Sequence, residues 1–211
     1  MKKIGLIDYG MGNMHSISKA LEHVGGKVQW IKKPEELDQV SRIVLPGVGA
    51  FRDCAQALQK TGLGNAIKAK IDDGMPFLGI CLGMQVLMDA SSEFGLYQGL
   101  GLIPGAVKPF PESHPERGFK IPHMGWNDVI LSPSTEPHPV LAPLAGQQVY
   151  YVHSFYCAPE NPQHILAACS YGDFPFAAGI GRDNIVAVQF HPEKSQRAGL
   201  ALLESFIRWK P

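Results

Sequence analysis

Cys81 lies in Pro76-Phe77-Leu78-Gly79-Ile80-Cys81-Leu82-Gly83-Met84-Gln85, where an apolar run gives way to residues that suit the start of a helix. A strand that turns sharply into a helix presents a nucleophile at the top of a sheet, as the G-x-S-x-G elbow does for serine. Glycines on both sides allow the reversal. The thiol is expected to point into solvent near a helix N-terminus, whose dipole favours an anionic sulfur. A free cysteine is as often a small buried hydrophobe, and the decapeptide by itself does not separate the two readings.

The far end of the chain supplies a matching base. His191-Pro192-Glu193 follows the apolar stretch Val186-Ala187-Val188-Gln189-Phe190. Proline disfavours helix in the residue before it, so His191 is expected to be extended. Residues two apart in extended backbone share a side, which sets the Glu193 carboxylate beside the His191 imidazole. Nucleophile, base and orienting acid are the parts of a catalytic triad. A strand-end turn with a solvated His and Glu is the other reading of the tripeptide.

A third segment, Pro46-Gly47-Val48-Gly49-Ala50-Phe51, follows another apolar strand. Its glycines let backbone N–H groups turn toward a carbonyl oxygen, a candidate oxyanion hole with the Leu82 N–H as second donor. Without Cys81 it reads as an ordinary β-to-α turn. Gly10-Met11-Gly12-Asn13-Met14-His15 lacks the third glycine of a dinucleotide fingerprint and reads as a turn with a helix cap at Asn13. The remaining histidines show no metal-ligand spacing, so no metal and no cofactor is expected. His153, inside Tyr150-Tyr151-Val152-His153-Ser154-Phe155, either lines the pocket or is a satisfied core residue.

These groups need a frame. The 211 residues suggest one domain, residues 1–211, with a formal net charge of +0 and no basic stripe for nucleic acid. Four widely spaced cysteines argue against a disulfide framework and suit the cytoplasm. No apolar run approaches a membrane span, and the residues after Lys2-Lys3 are too few for a signal-peptide core. The first half alternates strands (3–8, 28–31, 42–45, 77–81) with helices (from Asn13 to His23, 50–58, 63–72). That rhythm predicts an α/β fold with a doubly wound, mostly parallel central sheet, flanking helices and its site at the strand carboxyl ends. Residues 104–143 hold nine of the 17 prolines and are expected to be loops with a strand from Trp126 to Leu131. The C-terminal part is rich in antiparallel strand: 147–157, 164–171, a pair about residues 181–184, and 186–190. A closing helix from Ser195 carries Leu200, Leu203 and Ile207 as its stripe.

Taken in order, Pro46 to Phe51, Gly79 to Gln85 and His191 to Ser195 resemble the class I, triad-type glutamine amidotransferases over most of the chain. The resemblance implies that Cys81 attacks the side-chain amide of glutamine, that His191 shuttles the proton, and that Glu193 orients His191. It implies glutamine contacts at Gly47, Gln85, Glu93, Ser154 and Phe155. It makes Val48 and Gly49 an oxyanion strand that must reorient before the site is active. Asp8 to Asn13, Pro122-His123-Met124-Gly125-Trp126-Asn127, His153 to Phe155 and His191 to Ser195 resemble a branch serving histidine biosynthesis. Its members pass ammonia to a cyclase subunit, a (β/α)8 barrel. Asn13, Met124, Trp126, Tyr150 and Lys194 match positions near that docking face and ammonia path, though Trp126 also suits a core and Lys194 a solvated surface. Phe94 stands where relatives often carry a second acidic residue, and Lys108 to Lys120 follows no family pattern.

Overall fold

The computed structural model describes residues 3–111, 118–133 and 136–211. Residues 112–117 of the variable stretch 108–120 therefore lie outside the described residues. Strands β1 (Ile4–Ile7), β2 (Val28–Ile31), β3 (Arg42–Gly47) and β4 (Phe77–Cys81) are joined by helices α1 (Met14–His23), α2 (Phe51–Lys60) and α3 (Leu63–Asp72). A single helical turn, α4 (Leu82–Gln85), follows β4. Short strands β5 (Ala90–Ser91), β6 (Tyr97–Gln98) and β7 (Gly105–Pro109) precede β8 (His123–Asp128) and β9 (Ile130–Leu131). Then come β10 (Gln148–His153), β11 (Phe155–Pro159), β12 (Ile165–Tyr171), β13 (Phe174–Arg182), β14 (Ile185–Val188) and α5 (Gln196–Arg208).

The main sheet runs β2-β1-β3-β4-β14-β13-β12-β9. Pairs from β2 to β14 are parallel; β14-β13, β13-β12 and β12-β9 are antiparallel. This is the doubly wound sheet with an antiparallel C-terminal part. Alternation along the strands explains why both faces are covered. Val44, Leu78 and Val186 join α1 and α5 in one core, whereas Ile43, Phe77 and Ile185 join α2 and α3 in the other. Each fully buried Leu, Ile or Phe stabilises by ~1.5–3 kcal/mol. The order places β4 and β14, which lead to Cys81 and His191, side by side at the centre of the sheet.

Several boundaries differ from the sequence reading. Strand β8 begins three residues before Trp126, and the chain leaves it at Val129, so Ile130–Leu131 pairs in the main sheet instead. The stretch 147–157 is two strands in two different sheets, broken at Ser154. The stripe of α5 is Ala198, Gly199, Leu202, Leu203 and Phe206. Leu200 and Ile207 are only half-buried, because the helix turns its Gly199 face toward the turn at Pro192. Asn13 stands at the N-cap of α1, but its side chain makes no cap hydrogen bond. No helix among the described residues is long and apolar enough to cross a membrane.

Candidate active site

The elbow is built by one strained residue and two close approaches. Cys81 has φ 54° and ψ −109°, backbone that costs a non-glycine residue ~1–3 kcal/mol. The sequence assigns the reversal to the flanking glycines, and the structure corrects that. Neither Gly79 nor Gly83 has a positive φ; each is needed because no side chain would fit. A Cβ on Gly83 would overlap the Leu45 carbonyl, and one on Gly79 would meet the Gly83 oxygen at 2.6 Å. The sheet thus packs directly against the turn that carries the thiol.

A solvent-facing thiol is also corrected: Cys81 is 7% exposed. It lies in the wall of a cavity of about 290 Å³ with Val48, Gly49, Leu82, Gln85, Glu93, Ser154, Phe155 and His191. The helix after it is one turn long, so its field is that of a few free N–H groups rather than of a long dipole. Gly47 is the register partner of Cys81 in the β3–β4 pair and lines a small void behind the cavity with Asn13, Val48, His191 and Glu193. Gly49, at φ 99°, has open space around it. A larger groove of about 430 Å³ between α2, α3 and residues 96–100 contains none of these groups.

His191 Nδ1 lies 2.9 Å from Glu193 Oε1, with both side chains under 5% exposed. The route differs from the extended one expected. His191 is extended, but Pro192–Lys194 form a 3₁₀ turn that swings the carboxylate back onto the ring. Ser195 locks this turn by donating to the His191 carbonyl and accepting from the Tyr150 N–H. Burial opposes charge on His191, but the Cys81 sulfur and the Glu193 carboxylate outweigh it and raise the ring to about 10. Nε2, on the side away from Glu193, is buried without a hydrogen-bond partner.

The other wall is polar and ordered. Gln85 Nε2 donates to the Phe155 carbonyl and to Gln189 Oε1, both at 3.1 Å, and Gln189 Nε2 donates to Cys81 Sγ at 3.7 Å. Glu93 accepts from the Phe51 N–H at 2.7 Å. Phe51 is the first residue of α2, whose cap position is Ala50, so Glu93 satisfies an N–H that the local sequence cannot. Gln189 was missed by the sequence reading; its signal is a glutamine inside an otherwise apolar strand, now fully buried. The pairing of His123 with His153 was missed too, and no linear spacing encodes it. Phe94, with φ 55°, projects into solvent.

Met124, Trp126, Tyr150 and Lys194 form one patch. Tyr150 is the register partner of Trp126, and their rings lie 6.3 Å apart. Lys194 Nζ sits 5.7 Å over the Tyr150 ring. Met124 and Trp126 are 60% and 46% exposed, so Trp126 is not a core residue. Asn13 lines the small void with His191 and Glu193. Among the described residues no three His, Cys, Asp or Glu side chains converge as a metal site would require.

The family described as glutamine amidotransferase class-I matches residues 5–209, and the chain belongs to that family. It is 50% identical to the imidazole glycerol phosphate synthase subunit HisH of Geobacter sulfurreducens, over 100% of both chains. It is likewise 50% identical to the HisH subunit of Geobacter metallireducens, over 98% of both. Within the amidotransferases it therefore stands among the HisH subunits. Among solved structures, PurLQS from Thermotoga maritima shares the fold, with a TM-score of 0.75 over 99% of both chains at 19% identity.

Proposed function

We propose that this chain is, as a single amidotransferase domain, the glutaminase subunit of an imidazole glycerol phosphate synthase. In this reading it hydrolyses glutamine at Cys81 and delivers ammonia to a cyclase subunit with a (β/α)8-barrel fold. The observation that carries the chemistry is that Cys81 and His191, 110 positions apart, line one cavity, with Glu193 bonded to the His191 ring from behind it.

The steps follow from the geometry. With its pKa near 10, His191 holds a proton at neutral pH, steadied by Glu193 on Nδ1. The Cys81 thiol has passed its proton to His191, and the sulfur attacks the side-chain amide carbon: a C–S bond forms as the carbonyl π bond opens to a tetrahedral oxyanion. Backbone N–H groups of Leu82 and of the Val48–Gly49 strand are the donors for that oxyanion once the strand is turned inward. His191 gives its proton to the departing nitrogen, the C–N bond breaks, and ammonia leaves a γ-glutamyl thioester. Neutral His191 then takes a proton from water, the oxygen adds to the thioester, and the sulfur is expelled as glutamate forms. Gly47, Gln85, Glu93, Ser154 and Phe155 hold the substrate. Confinement matters because free ammonia in neutral water is mostly protonated and no longer nucleophilic.

The exposed patch of Met124, Trp126, Tyr150 and Lys194 supports a docking role: aromatic and methionine side chains are enriched at interface cores. Asn13, behind His191, belongs to the ammonia-path side of the same reading.

The test is glutamate release from glutamine, alone and with the cyclase subunit carrying its nucleotide substrate. Low activity alone, strong activation by the loaded cyclase and loss of both in Cys81→Ala are expected. High activity alone with no response to the cyclase would overturn the assignment in favour of a free-standing thiol hydrolase.

A further inference from the structure

Two buried histidines stand at the glutamine wall, outside the triad: His153 lines the cavity, as one of its two sequence readings expects, and His123 lies behind it. His123 and His153 are 3% and 6% exposed and face each other across the β8–β10 pair. His123 Nδ1 lies 3.0 Å from His153 Nε2, His153 Nδ1 lies 2.8 Å from the Phe155 carbonyl, and Asn127 Nδ2 lies 3.4 Å from His123 Nε2.

These contacts fix every proton. The Phe155 carbonyl can only accept, so His153 carries its hydrogen on Nδ1. Neutral His153 then accepts at Nε2 from the His123 Nδ1–H, and His123 accepts at Nε2 from the Asn127 amide. Asn127 also donates to the Ser170 carbonyl at 2.9 Å. Burial lowers His123 to about 4 and His153 to about 3, so both rings are neutral at working pH. His123 is stacked on Tyr151 and Tyr171, with ring centroids 5.0 and 4.2 Å away. The rings cannot turn without breaking both stacking and hydrogen bonds.

The Phe155 carbonyl is shared. It accepts from His153 on one side and from Gln85 on the other, and Gln85 leads through Gln189 to the Cys81 sulfur. Two donors occupy the two lone pairs of that oxygen, so residue 155 is held by its carbonyl where Ser154 and Phe155 meet the cavity.

We infer that the neutral His123–His153 pair is a positioning unit for glutamine binding, which sets the Phe155 segment and, through Gln85 and Gln189, its distance from the Cys81 sulfur. The inference rests on the glutaminase reading. It gives His153 a role beyond core packing, because the hydrogen bond and not the ring volume is what the site uses.

The experiment compares His153→Phe with His153→Asn in the complex with the cyclase subunit. Phenylalanine keeps the ring but removes both hydrogen bonds. Asparagine packs worse but places an N–H near the Nδ1 position. Expected are a rise in KM for glutamine of ~10-fold or more in His153→Phe with a smaller change in kcat, and recovery to within ~3-fold in His153→Asn despite its lower melting temperature. An unchanged KM in folded His153→Phe, or KM values that follow melting temperature through both variants, would overturn the inference. A wild-type complex that releases no glutamate would instead overturn the glutaminase reading. In that case binding of glutamine to each chain by calorimetry reads the same comparison without turnover.

Discussion

His191 and Glu193 are separated by one proline and joined by one hydrogen bond, Nδ1 to Oε1 at 2.9 Å, inside a turn that Ser195 closes from both ends. Glu193→Gln keeps the volume and an oxygen to accept from Nδ1 but removes the charge that stabilises the imidazolium. Its kcat is expected to fall ~10²–10⁴-fold, by analogy with the orienting acid of serine hydrolases. Steady-state glutamate release checks this, and a variant within a few-fold of wild type would remove Glu193 from the triad.

The Cys81 sulfur and the Glu193 carboxylate on either side of His191 make stability depend on alkaline pH. His191 is raised above its ordinary 6.5 to about 10, so its contribution is complete below about 6.5 and is lost as pH rises through about 10. Urea unfolding of wild type should therefore show stability falling from pH 7 to 10, with a slope of up to ~1.4 kcal/mol per unit from this group. Glu193→Gln is expected to flatten that limb in part, the share of the Cys81 sulfur remaining.

On the acid side the sign reverses. His153 is lowered to about 3 and stays neutral in the folded chain, while the unfolded chain takes up a proton below about 6.5. Stability should fall as pH drops from 6.5 toward 4, and His153→Phe should remove ~1.4 kcal/mol per pH unit from the slope. Equal slopes in wild type and variant would show that His153 titrates normally.

Gly83→Ala places a methyl group into the Leu45 carbonyl behind the elbow. The chain must either distort the turn under Cys81 or lose the β3 contact. A loss of ~3 kcal/mol or more is expected, with activity falling further than the melting temperature explains. Gly49→Ala is the contrast: its Cβ would meet nothing, and its cost is backbone strain at φ 99° alone.

Trp126→Ala removes the aromatic centre of the exposed patch. The Kd for the cyclase subunit is expected to weaken by ~10-fold or more, with the melting temperature of the free chain nearly unchanged. Titration calorimetry reads the first and thermal denaturation the second.

Much of this was legible in the residues. Apolar runs such as Phe77 to Cys81 are buried on both faces, so they mark central parallel strands without any partner being known. Cys81, His191 and Glu193 could be named from three motifs taken in order, although the backbone route to each differs from the one their neighbours suggested. What stayed hidden depended on distant packing. The need for Gly83 arises from the Leu45 carbonyl, 38 positions earlier. The break at Ser154 reflects a change of sheet, which hydrophobic alternation does not signal. The tie between Glu93 and the start of α2, and the chain from His123 to Cys81, join residues far apart in sequence.

The central claim is that Cys81, alone of the four cysteines, is the nucleophile toward glutamine. The direct measurement is peptide mapping after treatment with a glutamine-shaped diazoketone, in the complex and with glutamine as competitor. One label per chain on the Cys81 peptide is expected, slowed by glutamine and abolished in Cys81→Ala, with the buried Cys54, Cys157 and Cys169 unlabelled. Glutamine turnover that persists in Cys81→Ala, or a label on another residue that halts turnover, would contradict the claim.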